Sequence, residues 1–568
     1  LTDERIRITN HLRNESYYYF RPDYLEYLAD TTRQPLKVDL RMMLGKGIPP
    51  AARQPYRVGE VRVSLFNPLG GEADSTEYRG VKIWYQKPLK IRPKLLARSL
   101  QITPGSAARV DSIGATLNNL TKLEIFRYVN LSVPPLDSLH GSDSLDMLIS
   151  AAFDAPMEAQ FEADFSTKSN SFIGPGLIFG IQHKNLFHGG EVLGVHLNGN
   201  YEWQTGNKSS EVNSTRINSY EFGLTASLSI PRLLAPRFIR RSEQYTPRTT
   251  FRLSANMLKR PKFFTMLSLG ASMGYDFQSS PRSYHSLTLF KMVYNRLLTT
   301  TPEFDSTMKQ NPWIALSFQN QFIPSTSYTY TYDRRTGRDD RNRLIWQSSF
   351  TSAGNIFYAL YELFGSKGTK QIFGNRFSQF IKATTELKYY LQVGEHNTLA
   401  TRLMVGVGHA YGNSQVMPYS EQFYIGGANS IRAFTIRSLG PGSYRSPADD
   451  QTGYFDQTGN FKLEANVEFR FRILGPLNGA VFVDAGNIWL LKNEPDRPGG
   501  QLTAKGFWRD IALGTGFGLR YDLDFLVIRA DLGIGLHTPY PNPDKPGYYN
   551  IPSFKDGLGF HLAIGYPF

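Results

Sequence analysis

The chain has 568 residues, with 63 lysines and arginines against 49 aspartates and glutamates, and it contains no cysteine. The lack of cysteine excludes disulfide bonds, thiol catalysis and cysteine-ligated metal centres. Mean hydropathy is -0.34, and no apolar run reaches the roughly 18 residues that a membrane-spanning helix requires. Membrane-spanning strands are not excluded, because their alternating lipid-facing and polar side chains average to the hydropathy of a water-soluble protein.

The formal net charge of +14 is spread along the chain. Residues 1–155 carry 21 basic and 17 acidic side chains, and the remainder carries 42 and 32. Nucleic-acid-binding domains concentrate basic residues on one face, so we predict no nucleic-acid partner. The sequence starts at Leu1 without the basic and apolar regions of a secretory signal, and we expect it to be a trimmed piece of a longer protein.

The first part of the chain mixes helical and strand-like patterns. Leu95, Leu96 and Leu100 mark a short helix after Pro93, and Val110, Ile113, Leu117 and Leu120 mark a second helix, with Ser106 as its predicted N-cap. Strands are predicted at 56–66, 81–85, 125–133 and 145–153. Residues 56–155 therefore form a small α+β domain. Residues 1–55 resemble the back half of a similar domain, with a helix over 3–13 and strands over 17–20 and 36–44.

From about residue 156 the apolar period becomes two, and glycine, proline, asparagine and aspartate separate about 16 segments of membrane-strand length. Near the end of the chain, long connections at 414–459, 492–508 and 538–558 alternate with tight turns at 393–396, 474–476 and 522–525. A soluble all-β fold also alternates, but short turns at one end and long loops at the other are typical of outer-membrane barrels. We predict a transmembrane antiparallel β-barrel of about 16 strands over residues 156–568, preceded by α+β domains.

The 414–459 connection contains the motif Tyr424-Ile-Gly-Gly-Ala-Asn-Ser-Ile-Arg-Ala-Phe434, followed by Ser438-Leu-Gly-Pro441. This motif resembles the loop-six signature of the BamA/TamA outer-membrane β-barrel assembly superfamily, and we call the connection loop six. Three family-like stretches follow in order, beginning at Glu464, Val481 and Gly514. The α+β units resemble POTRA (polypeptide-transport-associated) domains. The resemblance thus covers nearly the whole chain, with a partial POTRA domain at 1–55, a C-terminal POTRA domain at 56–155 and the barrel at 156–568, where loop six folds inward.

The resemblance implies that loop six is locked inside the barrel by Arg432. A partly desolvated guanidinium requires carboxylates, and strand parity places Glu468, Asp484 and Glu464 on the lumenal face as its partners. The motif residues carried over are Gly426, Gly427, Ile431, Arg432, Ala433 and Phe434. The family has glycine after the arginine, whereas this chain has Ala433, which disfavours a positive φ. An exposed loop arginine is the alternative interpretation.

Barrel closure would bring residues 158–167 beside residues 559–568. Pro567 cannot donate a ladder hydrogen bond, Gly559 and Gly565 weaken the last strand, and the two strands present Phe161, Phe165 and Phe568 outward. In the family this seam opens laterally and receives client strands by edge addition. The predicted lateral-seam residues are Phe161, Phe165, Gly565, Pro567 and Phe568. Ordinary fraying of a strand end is the alternative.

The sequence lacks a nucleophile elbow, a phosphate-binding loop and paired metal-ligand histidines. Asp339-Asp340 and Asp449-Asp450 lie in loop-like stretches and are interpreted as solvated charge. We therefore predict no enzyme activity, no cofactor and no metal site.

The resemblance implies an outer-membrane assembly or translocation factor of a Gram-negative bacterium, with POTRA domains in the periplasm. The end of the chain and the tyrosine run at Tyr17 favour the TamA-like branch, including its Bacteroidota members. Expected partners are the outer-membrane bilayer, unfolded outer-membrane protein clients, and a TamB-like protein or accessory lipoproteins. The alternatives are BamA proper, a two-partner secretion transporter, a diffusion porin and an outer-membrane esterase.

Overall fold

A computed structural model describes residues 1–568 except 33–36, 68–69, 134, 136–142, 168–171, 205–217, 235–244, 262, 311–314, 316–317, 319, 337–340, 366–367, 373, 446–456 and 524–525. Its helices are α1 (Thr2–Asn14), α2 (Pro93–Ser99), α3 (Val110–Thr121), α4 (Pro302–Gln310) and α5 (Asn355–Leu363). None of the helices in the described ranges is long and apolar enough to cross a membrane. Both aspartate pairs of the sequence analysis lie outside the described residues.

The described residues form two compact units. The first comprises residues 1–158 with the segments 181–194 and 228–249, and the second comprises residues 159–180, 195–227 and 250–568. In the first unit, Lys184 Nζ pairs with Asp154 and Glu158, each at 2.9 Å. Arg248 Nη2 pairs with Glu124 Oε1 at 2.9 Å. Ion pairs thus join the two added segments to the first 158 residues.

A five-stranded sheet is the centre of the first unit. Its strands lie in the order β4-β5-β3-β7-β6, and β3 runs parallel to both β5 and β7. Their bounds are β3 (Arg57–Phe66), β4 (Ala73–Tyr78), β5 (Val81–Gln86), β6 (Phe126–Ser132) and β7 (Ser144–Phe153). Val61, Val63 and Ile83 of the sheet pack with Leu96 of α2 and Leu120 of α3 in one buried core. The helices and strands expected here are present, and β4 is an addition.

The N-terminal residues differ from the expectation. Strands β1 (Leu25–Asp30) and β2 (Asp39–Leu44) form a hairpin, whereas the predicted strand at 17–20 is wrong. Ser16 adopts φ 75°, and Tyr18 and Tyr19 then pack edge to face at 5.1 Å between ring centroids. Local aromatic packing therefore replaces strand pairing.

Ser106 is also not an N-cap, because α3 begins four residues later and Ser106 Oγ donates to Thr103 O at 2.7 Å.

The second sheet has 16 strands, whose order follows the sequence from β8 at one end to β25 at the other, with the short pair β17–β18 outside it. Its 16 strands are β8 (Met157–Thr167), β9 (Phe172–Lys184), β10 (Val192–Gln204), β11 (Asn218–Ile230), β12 (Arg248–Arg260), β13 (Phe264–Ser280), β14 (Ser283–Thr300), β15 (Gln321–Thr336), β16 (Asn342–Ala353), β19 (Phe380–Val393), β20 (Asn397–Ala410), β21 (Phe461–Leu474), β22 (Leu477–Trp489), β23 (Ala512–Asp522), β24 (Val527–His537) and β25 (Leu558–Ile564). The separate pair is β17 (Gln371–Ile372) and β18 (Asn375–Arg376).

The polarity of this sheet is opposite to that of a soluble protein. Apolar side chains such as Val467, Phe517 and Phe560 are exposed, whereas charged side chains such as Glu468 and Arg520 are fully buried. Successive residues of a strand point to opposite faces, so the exposed apolar side chains and the buried charged side chains alternate along a strand. An apolar outer face with a polar inner face is the pattern of strands that meet lipid.

The loops alternate in length as predicted. Residues 411–460, 490–511 and 538–557 form long connections at one end of the strands, and residues 394–396, 475–476 and 523–526 form short ones at the other. Helices α4 and α5 belong to earlier loops on the long-loop side. Neither of these nine-residue helices is among the predicted elements.

Candidate functional site: the loop-six lock

Loop six turns back on itself at the two glycines of its motif. Gly426 and Gly427 have φ values of 98° and 94°, which only glycine adopts without strain. A Cβ on Gly426 would lie 2.2 Å from Thr435 O. Ile431 is fully buried with Ile425 and Leu439, so an apolar cluster fixes the turn and directs the next residue, Arg432, into the sheet's buried face.

Arg432 is fully buried among two carboxylates. Its Nε and Nη2 donate to the two oxygens of Asp484, both at 2.8 Å, and its backbone N–H donates to Asp484 Oδ2 at 3.1 Å. Its Nη1 donates to Glu468. The guanidinium carbon lies 3.4 Å from the centroid of the Phe482 ring. Bidentate, charge-assisted contacts of this kind are the strong class of hydrogen bond, and they hold loop six against β21 and β22.

Further cations lie on the same buried face. Arg470 Nε donates to Glu468 Oε1 at 2.8 Å, and Arg520 Nη2 reaches Glu468 Oε2 at 3.3 Å. Arg520 also pairs with Asp531 at 2.5 Å, and Asp531 lies 3.4 Å from Arg529. These arginines and Asp531 are not among the predicted site residues, although their shared strand parity is visible in the sequence and is the signal that identifies them.

Glu464 does not bind Arg432, contrary to the prediction. Its carboxylate accepts from Arg402 Nη1 at 2.7 Å and Ser430 Oγ at 2.9 Å, and it pairs with Lys462 Nζ at 2.8 Å. Parity placed Glu464 on the correct face, but it lies four residues before Glu468 along β21, which is too far along the strand to share one guanidinium. It holds an earlier part of loop six, at Ser430.

The last strand also contacts the motif. His561 Nε2 lies 2.8 Å from Arg432 O, and since a carbonyl oxygen only accepts, this nitrogen must carry the proton. A Cβ on Gly559 would lie 2.7 Å from Arg432 O, and one on Gly533 would lie 2.4 Å from it. Loop six therefore touches β21 and β22 through side chains and β24 and β25 through its backbone.

Ala433 adopts no positive φ in the structure, so the departure from glycine causes no strain at this position. A Cβ on Gly514 would lie 2.5 Å from the Ala433 Cβ. The additional methyl group therefore occupies the space that Gly514 of β23 leaves open. Phe434 packs against the apolar cluster beside it.

The loop after β24 covers loop six. Tyr540 donates to Ser438 O at 2.8 Å and accepts from Gln457 at 2.9 Å, and it packs on the Ile425–Leu439 cluster. Burial raises the pKa of the Tyr540 phenol well above its usual range, so the hydroxyl remains a donor at neutral pH.

The seam residues divide into two groups. Phe161 lies in β8 and is 72% exposed, and Phe165 belongs to the same strand. The last strand ends at Ile564, so Gly565, Pro567 and Phe568 lie beyond it. Gly565 has φ 80°, and the Phe568 ring then lies 5.6 Å from the guanidinium carbon of Arg470 on the buried face.

This corrects the expectation that Phe568 points to lipid. The left-handed glycine interrupts the alternation, and proline supplies no ladder donor. Arg470 Nη2 instead donates to Phe568 O at 3.3 Å, and its guanidinium carbon lies 4.3 Å from the Tyr566 ring.

Residues 185–568 match the Omp85 superfamily domain. The chain belongs to the Omp85 superfamily. A segment of 116 residues is 28% identical to the outer membrane protein assembly factor BamA of Neisseria meningitidis serogroup B and covers 20% of this chain and 14% of that protein. The chain therefore aligns with only a small part of that relative. The predicted superfamily, the β-barrel fold and an outer-membrane location are thereby confirmed.

The fold of this chain is shared by a solved structure of low sequence identity. BamA from Haemophilus ducreyi lacking POTRA domains 1–3 superposes with a TM-score of 0.54 at 13% identity, over 94% of this chain and 89% of that one. CdiB from Acinetobacter baumannii gives a TM-score of 0.48 at 13% identity, over 98% of this chain and 80% of that one.

Among the described residues, no group of three or more histidine, aspartate or glutamate side chains could hold a metal ion. The contacts of Arg432 with Glu468, Asp484 and His561, which we call the loop-six lock, are ion pairs and hydrogen bonds. Such a site can hold or release a segment of chain.

Proposed function

We propose that this protein assembles or translocates other outer-membrane proteins, and that it does so without enzymatic chemistry. The observation that carries the proposal is the double contact of loop six. Arg432 fixes the loop to Glu468 and Asp484, and His561 ties the same residue to the last strand. Loop six and the end of the sheet are thereby coupled at one residue.

The proposed mechanism uses the two end strands, β8 and β25. A strand at a sheet end presents unpaired backbone groups and can template an added strand. β25 has only seven residues and is followed by the left-handed Gly565, so it offers few backbone groups for pairing with β8. A client strand would pair with this edge, and burial of the client's apolar face in lipid would supply the driving force.

We assign the α+β unit to the periplasm as a POTRA domain. Its sheet has β4 and β6 at its edges, and an extended client could add to either one. A structural spacer is the alternative role for residues 1–55.

Within the superfamily we propose the TamA-like branch. The support comes from the terminal residues 563–568 and the tyrosine run at Tyr17. This assignment implies a TamB-like partner or accessory lipoproteins in addition to unfolded clients.

The test is reconstitution of the chain in lipid vesicles with a urea-denatured client barrel. Folded client is measured by heat-modifiable electrophoretic mobility and protease protection. Because the chain has no cysteine, pairs of introduced cysteines along β8 and β25 can form only the intended cross-links. We expect a cross-linked seam to lose client folding and to regain it on reduction.

The matched control cross-links two internal strands at Phe517→Cys and Leu532→Cys, which are directly paired. It should leave client folding unchanged. Full activity of the locked seam would contradict lateral insertion. Export of one soluble partner with no client folding would instead indicate a two-partner secretion transporter, and a large steady conductance would indicate a porin.

A further inference from the structure

Helix α5 presents an exposed apolar face. Ile356, Leu360, Leu363 and Phe364 are 62, 45, 78 and 82% exposed, and their spacing of four, seven and eight residues places them on one side of the helix. Ala359 is exposed on the same side. A contiguous apolar surface of this kind marks an interaction site when it is found on a folded protein.

The opposite face fixes the helix in this orientation. Phe357 and Tyr361 contact Phe377 at 6.3 and 6.1 Å between ring centroids, and Phe377 is buried. Lys370 Nζ lies 3.7 Å from the Tyr358 ring centroid.

Polar contacts at both helix ends add to this packing. Lys370 also pairs with Glu362 near the end of the helix. At the first residue, Asn355 accepts from Gln379 at 3.0 Å and from Tyr411 at 2.7 Å. The helix therefore cannot roll to bury its apolar side without breaking these contacts.

The position of α5 along the barrel wall indicates what covers it. The helix begins two residues after β16 ends. Twelve residues of β16 extend about 40 Å at ~3.4 Å per residue, which at the ~45° tilt of a spanning strand rises about 29 Å. This rise matches the ~25 Å apolar band of an outer-membrane barrel, so α5 begins at the level of the membrane surface on the long-loop side.

The strands that precede and follow α5 in the chain, β16 and β19, are apolar on their outer face. Trp346 and Phe350 of β16 and Ile381 and Leu387 of β19 are exposed apolar side chains of the outer face. Glu362, the acidic residue within α5, pairs with Lys370. In the described part of this loop, the face formed by Ile356, Leu360, Leu363 and Phe364 carries no charged side chain that would oppose contact with lipid.

We propose that α5 is an interfacial helix, whose face formed by Ile356, Leu360, Leu363 and Phe364 lies in the bilayer surface beside β16 and β19. An amphipathic helix in this position buries its apolar side at the boundary of headgroups and acyl chains. The occupant of the face is the lipid itself. This inference rests on the barrel spanning the membrane and does not depend on the client-folding activity.

The experiment uses the full chain in phosphatidylcholine vesicles. Leu363→Cys is labelled with a nitroxide, and its accessibility to oxygen, which concentrates in lipid, is compared with its accessibility to a water-soluble nickel chelate. Leu403→Cys on the outer face of β20 is the lipid control, and Thr369→Cys in the α5 loop is the aqueous control. Heat-modifiable mobility checks that each labelled variant is folded.

We expect the ratio of oxygen to nickel accessibility at Leu363 to exceed one, as at Leu403, and the ratio at Thr369 to be below one. A ratio at Leu363 equal to that at Thr369 would overturn the proposal. Loss of nickel access at Leu363 only in native envelopes, with no such loss in pure lipid vesicles, would indicate a protein partner and would also overturn it.

Discussion

The substitution Arg432→Ala separates the loop-six lock into its energetic parts. Asp484 receives three hydrogen bonds from Arg432 and one from Asn466. The substitution removes the two guanidinium donors, so the fully buried Asp484 retains only the backbone N–H of residue 432 and the Asn466 amide among these donors. Glu468 loses less, because Arg470 and Arg520 still face it.

We expect Arg432→Ala to lower the free energy of unfolding by about 3–5 kcal/mol, the range for removing one partner of a buried ion pair. The uncompensated carboxylate of Asp484 is the main cause. The double variant Arg432→Ala/Asp484→Asn removes both charges, so its loss should be smaller than the sum of the two single losses by about 1–3 kcal/mol.

The assay is urea unfolding of the purified chain in detergent micelles, followed by tryptophan fluorescence and by heat-modifiable mobility. Arg472→Ala is the matched control, because Arg472 is an exposed arginine of β21, the strand that carries Glu468, and the unfolding midpoint of this variant should stay unchanged. An unchanged midpoint for Arg432→Ala, or strictly additive losses in the double variant, would refute the buried-charge reasoning.

Three other predictions concern the last strand and the loops. Gly559→Val places a Cβ 2.7 Å from Arg432 O and should lower the free energy of unfolding by about 1–3 kcal/mol through overpacking. The control Gly547→Val, where a Cβ meets open space, should not move the urea midpoint. His561→Ala should lower the free energy of unfolding by about 1–3 kcal/mol, because it leaves Arg432 O without its donor. The control His396→Ala, at an exposed histidine, should leave the free energy of unfolding unchanged. Equal urea midpoints for these two variants would exclude the contact. Burial raises the pKa of Asp510, so the unfolded state ionises first and thermal stability should fall as pH rises above the ordinary aspartate range. Asp510→Asn should remove that component, and an identical pH profile would contradict it.

The repetitive part of the fold could be predicted from sequence because strand alternation is local. The period of two, the turn residues and the loop asymmetry gave a barrel of about 16 strands. Strand parity also put Glu468 and Asp484 on the face where Arg432 meets them. These features depend on the direction of each side chain, which the backbone period determines.

The rest depends on three-dimensional contacts. Parity could not separate Glu464 from Glu468, because both point inward and only the position of loop six along β21 selects one. The inward turn after Ile564 depends on Arg470, a residue about a hundred positions earlier. Helix α5 keeps its apolar side exposed, so a search for buried helix faces would misinterpret it.

Small residues also decide what fills the barrel beside its last strands. Gly514, Gly533 and Gly559 present no side chains to loop six, and the Ala433 methyl group and the backbone at Arg432 and Ala433 occupy that volume instead. The loop thus serves as the missing core of these strands. Withdrawal of loop six would leave the backbone of these strands facing an unfilled, water-accessible cavity. The order of the last strands and the position of loop six therefore depend on each other.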